Sequence, residues 1–109
     1  MIRVVCSVYD TACAVYMRPI FALSDAEAVR TFSDISVAAD HPIGEHPEDY
    51  SLVRLGTFDD TKGIFVMDED RVTLITGLEA VASMRKVAIR TANGGPPDPD
   101  DVTNVNDKE

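Results

Sequence analysis

The sequence has no tryptophan, only two cysteines, and ten basic residues against nineteen acidic ones. Each shortage excludes something. Cys6 and Cys13 are too few for a disulfide framework, and no cysteine pair stands at zinc-site spacing. Cys6 falls within an apolar run, where a thiol acts as a small buried hydrophobe, and a reducing compartment is the expectation. The net charge of −9 argues against indiscriminate polyanion binding, which comes from neutralising phosphates with Lys and Arg. A nucleic-acid role would therefore have to use a local patch. No apolar run approaches the roughly 20 residues that span a bilayer. No secretory signal pattern opens the chain, and no repeat of solenoid period runs through it. The phosphate-cradling loop, the dinucleotide fingerprint and the nucleophile elbow are all missing. The expectation is a protein that is not an enzyme and carries no cofactor and no metal.

What is present reads as one small domain. At 109 residues and 45% hydrophobic content the chain can bury a modest core. Ile2–Tyr9 is nearly continuous β-branched and apolar sequence, the pattern of a central strand covered on both faces. A second strand starts at Ala14-Val15-Tyr16-Met17 and is hairpinned to the first. Pro19 limits that strand, and Ile20-Phe21-Ala22 continues as extended chain. Ser24-Asp25-Ala26-Glu27 forms a capping box, with Glu27 expected to reach back to the Ser24 N–H. The helix it opens presents Ala28, Phe32, Ile35 and Ala39 on one stripe, with Val29 beside them.

Tyr50–Phe58 alternates as a long strand, with Tyr50, Leu52, Arg54, Gly56 and Phe58 on one side. Asp59-Asp60-Thr61-Lys62-Gly63 is a hairpin loop with Gly63 at positive φ. Ile64–Met67 and Arg71–Thr76 read as two strands joined by a turn at Asp68-Glu69-Asp70. Thr76-Gly77-Leu78-Glu79 is a second capping box that opens a helix bearing Val81, Met84 and Ala88 on one face. The order β-β-α-β-β-(β)-α predicts an α+β fold with a mostly antiparallel sheet of four to five strands. The capped helix packs on one face, and the strands flanking it run parallel through a crossover. Residues 1–91 form the domain. From Asn93-Gly94-Gly95-Pro96-Pro97 the composition turns polar and acidic, so 92–109 is expected to be a disordered tail.

Candidate chemistry is thin. His41, His46 and their neighbouring acids stand in a Pro-rich loop without a recognised metal-ligand spacing. Glu48/Asp49, Asp59/Asp60 and Asp68-Glu69-Asp70 fall at predicted turns, where acids serve capping and solvation. The cations form the more informative set. Arg3, Arg18 and Arg54 lie on predicted strands. If Arg18 and Arg54 share a sheet face with Tyr16 or Tyr50, that face can stack bases and meet phosphates, and the alternative is that these arginines sit on the solvent side of amphipathic strands, paired with acids. Arg30 on the first helix and the Arg85/Lys86/Arg90 cluster on the second complete the candidate nucleic-acid-binding residues. The acidic tail could compete with nucleic acid for such a patch.

Several short motifs in order carry a resemblance: Tyr9-Asp10, Pro19-Ile20-Phe21, Asp25-Ala26-Glu27-Ala28-Val29-Arg30-Thr31-Phe32, and His46-Pro47-Glu48-Asp49-Tyr50 with Leu52, Leu55-Gly56, Phe58-Asp59-Asp60 and Gly63. Over Tyr9–Gly63 the chain resembles the small nonstructural protein of gokushoviruses, the single-stranded DNA bacteriophages of the Microviridae. The resemblance implies a phage protein of the host bacterial cytoplasm, outside the virion, that binds DNA or assists synthesis of viral single-stranded DNA. Expected partners are single-stranded DNA or viral and host replication proteins, with no membrane. The alternative is a protein-binding adaptor, a homo-oligomer joined at a sheet edge, that touches no DNA. No catalytic residue comes with the resemblance.

Overall fold

The computed structural model describes the backbone of residues 1–92 and the side chains of residues 1–89. The predicted tail beyond Ala92 and the side chain of Arg90 lie outside the described residues. The elements run β1 (Ile2–Asp10), β2 (Val15–Tyr16), β3 (Ile20–Ala22), α1 (Asp25–Ser36), α2 (Pro42–Glu45), a 3-10 turn (Pro47–Asp49), β4 (Tyr50–Asp59), β5 (Ile64–Thr76) and α3 (Gly77–Ala92). They build the expected α+β fold around a five-stranded sheet.

β2 and β3 are two pieces of one strand broken at Met17-Arg18-Pro19, and both pair antiparallel with β1. Proline cannot donate to the ladder, so the strand is interrupted there. The Ser7 hydroxyl donates to the Met17 carbonyl at 2.6 Å across the break. β4 pairs antiparallel with the other side of β1, and β5 with β4. β3 and β4 are therefore parallel to each other, with β1 between them and α1 as the crossover, as the order of elements predicts.

One buried cluster joins Val4 and Cys6 of β1, Ala22 of β3 and Leu52 of β4 to Ala28 and Phe32 of α1, Ile43 of α2 and Ala80 of α3. All three helices thus lie on one face of the sheet. Val4–Ser7 are all buried, so the middle of β1 is covered on both faces as expected, although among the described residues the helices lie on one side only.

Both capping boxes form. The Ser24 hydroxyl accepts from the Glu27 N–H at 3.1 Å, while the Glu27 carboxylate reaches the Leu23 N–H at 2.9 Å, one residue earlier than predicted. At α3 the exchange is reciprocal: Thr76 N–H to Glu79 at 2.9 Å and Glu79 N–H to the Thr76 hydroxyl at 3.1 Å. Ala39 is not on the packed stripe of α1, because the helix ends at Ser36. Ser33 and Ser36 take the last buried positions instead, with the Ser36 hydroxyl satisfied by the Ser33 carbonyl at 2.6 Å. The loop after α1 contains the short helix α2, capped by His41 Nδ1, which accepts from the Ile43 N–H at 3.2 Å.

The largest departure is at β5. It is one thirteen-residue strand, not two strands and a turn. Met67 opposes Gly56 and Val72 opposes Arg54, so Asp68–Arg71 bulge outward opposite Leu55. The acids read as a turn have a different job, since Asp68 is drawn back across the sheet by Arg54. Gly56 makes the close passage there feasible: a Cβ on it would stand 2.3 Å from the Val66 carbonyl oxygen and 2.8 Å from the Met67 Cα. The hairpin loop before β5 closes as predicted, with Gly63 at φ 69° and the Asp59 carboxylate accepting from the Thr61 and Lys62 N–H groups.

Candidate functional site

The bulge also decides which side chains share a face. Up to Arg54, β4 follows simple alternation: Leu52 opposes Val8 and Arg54 opposes Cys6, both on the helix side. Leu55 is then an extra residue relative to β1, so Gly56 opposes Val5 and Phe58 opposes Arg3. A bulge shifts the facing of everything after it. Phe58 consequently lies on the open face, opposite to Tyr50, Leu52 and Arg54. Phe21 arrives on that face because it pairs with Val5, and Phe65 because it pairs with Phe58.

These three rings form one cluster. Ring centroids of Phe58 and Phe65 lie 4.6 Å apart, those of Phe21 and Phe58 5.5 Å, and those of Phe21 and Phe65 6.2 Å. The arrangement is tilted, as aromatic pairs prefer. Phe21 is 49% exposed and Phe65 54%, which leaves much of each ring in water. Farther along the same face Tyr9 and Tyr16 pair at 4.7 Å. Among the described residues no carboxylate occupies a position that the ladder assigns to the open face. Arg3 sits there beside Phe58, its Nε 2.9 Å from the loop residue Asp60. Asp60 also meets the Met1 ammonium at 2.7 Å, and hydrogen bonds from these two cations lower its pKa.

The residues predicted from sequence do not assemble into this surface. Arg54 lies on the helix side, with Nη1 3.2 Å from Asp25 and Nε 3.1 Å from Asp68. Burial acts to lower its pKa, but the two carboxylates outweigh it and the net shift is upward. A guanidinium held between two acids is not available to phosphate. Tyr50 packs against the core cluster on the same side, its phenol pKa raised by burial and by Asp10 and Asp49. Arg18 lines a groove of about 350 Å³ together with Val8, Ile35, His41 and Ile43, again on the helix side. Arg30, Arg85 and Lys86 are exposed on α1 and α3. Only Tyr16 of the described candidates reaches the open face. Arg18, Arg54 and Tyr50 thus share one side of the sheet, but it is the helix side, where Arg54 is paired with acids, while Tyr16 lies on the opposite face.

Phe21, Phe58 and Phe65 were missed as a group. The available signal was that three of the four phenylalanines of a chain without tryptophan fall on strands. Lys62, at the tip of the β4–β5 loop, makes no ion pair among the described residues and was also missed.

His46, Glu48 and Asp49 bring one ligand atom each within 4.8 Å of one another. His46 and Glu48 are exposed, and their closest approach is 3.9 Å, a loose surface ion pair if the imidazole is protonated. The cluster sits on the 3-10 turn, whose Asp49 carbonyl accepts from the Thr11 N–H and hydroxyl, so its geometry follows from loop packing. Cys6 is buried and its thiol is pushed up to about 11, chiefly by desolvation. Cys13 is exposed, and a hydrogen bond with Asp10 raises its thiol pKa. Neither has the electropositive surroundings of a reactive thiol. No helix among the described residues is long and apolar enough to cross a membrane.

A family model described as Phage ORF5 protein matches residues 3–80. The match includes all of the sheet except Ile2 and all three clustered phenylalanines, while Arg85 and Lys86 lie beyond it. No curated protein and no solved structure matches the chain.

Proposed function

The chain belongs to the Phage ORF5 protein family, and from that premise we propose that it is a non-enzymatic phage accessory which binds single-stranded DNA on the open face of its sheet. The observation that carries this reading is the partly exposed Phe21/Phe58/Phe65 cluster on a face whose ladder positions, among the described residues, hold no carboxylate. Bases stack on such rings irrespective of sequence, each worth about 1–3 kcal/mol. Antiparallel sheets with one helix-covered face offer this kind of platform to single strands. Lys62, at the end of the sheet where the rings lie, makes no ion pair among the described residues and is the cation placed to meet phosphates, while Arg3 beside the rings is paired with Asp60. Among the described residues the acids lie on helices, in loops, on the helix side of the sheet and in the β5 bulge, which is compatible with a local site despite a net charge of −9. The gokushovirus resemblance of the motifs from Tyr9 to Gly63 points the same way, to viral single-stranded DNA synthesis in the host cytoplasm.

The test is fluorescence anisotropy of a labelled oligothymidylate across a salt series. Wild-type protein is expected to bind, with affinity falling as salt rises. The Phe21→Ala/Phe65→Ala variant is expected to lose at least about tenfold, given the stacking energies above. Absence of binding at low ionic strength overturns direct DNA contact and leaves the adaptor reading. A specific observation favours that second reading: the apolar edge of β5 is suited to a protein partner.

A further inference from the structure

We infer that the groove beside Arg18 captures the apolar C-terminal residue of a partner protein, with the terminal carboxylate on the Arg18 guanidinium and the side chain between the aliphatic walls. The groove exists because two elements stop short at one corner of the sheet. Pro19 breaks the edge strand between Tyr16 and Ile20, and α1 ends at Ser36. The chain returns through α2, whose Ile43 is only 2% exposed and is the most buried wall. The space left is about 350 Å³, lined by Val8, Met17, Ile20, Ile35 and Ile43. Arg18 and His41 are its polar members.

Both polar members are donors. His41 Nδ1 accepts from the Ile43 N–H at 3.2 Å, so the proton of the neutral ring is on Nε2. Arg18 makes no ion pair among the described residues. Neither Asp34 of α1 nor Asp40 beside His41 pairs with it. An unpaired guanidinium beside aliphatic walls is complementary to a carboxylate with an apolar body, which it grips by two parallel hydrogen bonds.

Three features select the end of a polypeptide among such ligands. No aromatic side chain lines the groove, so a base has nothing to stack on. The walls are open: Met17 is 41% exposed and Ile20 36%. A free small ligand is normally buried over most of its surface, whereas a chain terminus needs only its last residue covered. Arg18 also lies in the strand break, outside the pairs that β2 and β3 make with β1, so its N–H and C=O remain for a peptide backbone.

The inference stands without the DNA reading, because the groove is on the side of the sheet opposite the phenylalanine cluster. The test is fluorescence anisotropy of the full chain with a labelled glycine–serine hexapeptide that ends in isoleucine. The free-acid peptide is expected to bind saturably, and its C-terminal amide and a version ending in serine each at least about tenfold more weakly. Arg18→Met is expected to lose at least about tenfold with an unchanged far-ultraviolet circular dichroism spectrum, and Arg18→Lys, which keeps the charge without the fork, to lose less. Ile20→Asp is expected to abolish binding, and Phe65→Ala on the other face to leave it unchanged. Free 3-methylpentanoate, the same side chain and carboxylate without a peptide, is expected to compete at least about tenfold more weakly than the unlabelled peptide. Equal competition overturns the assignment to a chain terminus. Absence of saturable binding by the free acid, equal binding of acid and amide, or indifference to Arg18→Met overturns the site.

Discussion

Arg54 and Asp25 lie 3.2 Å apart, and their ion pair fastens the middle of strand β4 to the first turn of helix α1. The same guanidinium holds Asp68 at 3.1 Å, where β5 bulges away from its partner. One side chain thus ties the crossover helix and the irregular edge strand to the central ladder. Arg54→Met is expected to destabilise the fold by on the order of 1 kcal/mol, because the pairs are partly exposed and solvent screens them. That corresponds to a fall in Tm of about 4–8 °C for a domain of this size. Thermal melts check the stability. Oligonucleotide titration checks the second half of the expectation, an affinity that does not change.

Gly56 tolerates no side chain. A Cβ placed there would meet backbone atoms of Val66 and Met67 at 2.3 and 2.8 Å, and backbone cannot rotate aside as a side chain can. Gly56→Ala is expected to cost more than about 3 kcal/mol, in the range reserved for forced backbone displacement. Urea denaturation reads it. A loss under about 1 kcal/mol would show that the β4–β5 passage is wider than described.

The α3 cap is a smaller, cleaner quantity. Thr76→Ala removes the hydroxyl that accepts the Glu79 N–H, and the expected loss is about 1 kcal/mol. Ser24→Ala is expected to cost a similar amount at α1. The two sites share no partner, so the double variant should show the sum.

The two thiols should behave differently. Burial raises the Cys6 pKa from 9.0 to about 11, so its thiolate is scarce at neutral pH and shielded from reagent. Cys13 is exposed but held in the thiol form by its hydrogen bond with Asp10. Titration of the native protein with a disulfide reagent is expected to label Cys13 alone, and Asp10→Asn to accelerate that reaction. The linkage has a definite sign. A folded pKa above the unfolded one stabilises the thiol form, so the contribution of Cys6 is complete below pH 9.0 and is lost as pH rises toward about 11. Melts over that interval should therefore be flatter for Cys6→Ala.

Local chemistry was legible in the sequence. Ser24 with Glu27 and Thr76 with Glu79 announce their helices, Gly63 closes its hairpin, and Pro19 breaks its strand. The crossover that makes β3 and β4 parallel follows from element order. What was not legible is where the ladder slips. Leu55 looks like any other alternating residue, yet its insertion opposite β1 moves Phe58 to the open face and leaves Arg54 behind on the helix side. Asp68-Glu69-Asp70 reads as a turn because acids favour turns, whereas a partner on a neighbouring strand holds Asp68 within one long strand. Both errors have one origin: alternation is a property of a single strand, and facing is a property of the ladder. The candidate site inherited the error, so that Tyr50 and Arg54 were named and Phe21, Phe58 and Phe65 were not.

The absence of tryptophan makes the central claim directly measurable. Phe65→Trp places a single indole in the exposed cluster, at a position already 54% open to water. Titration with single-stranded oligonucleotide at low ionic strength is predicted to quench its emission as bases stack on the ring, with recovery on addition of salt. A folded Phe65→Trp protein whose emission is indifferent to single-stranded DNA would contradict the account of the open face as a base-stacking platform.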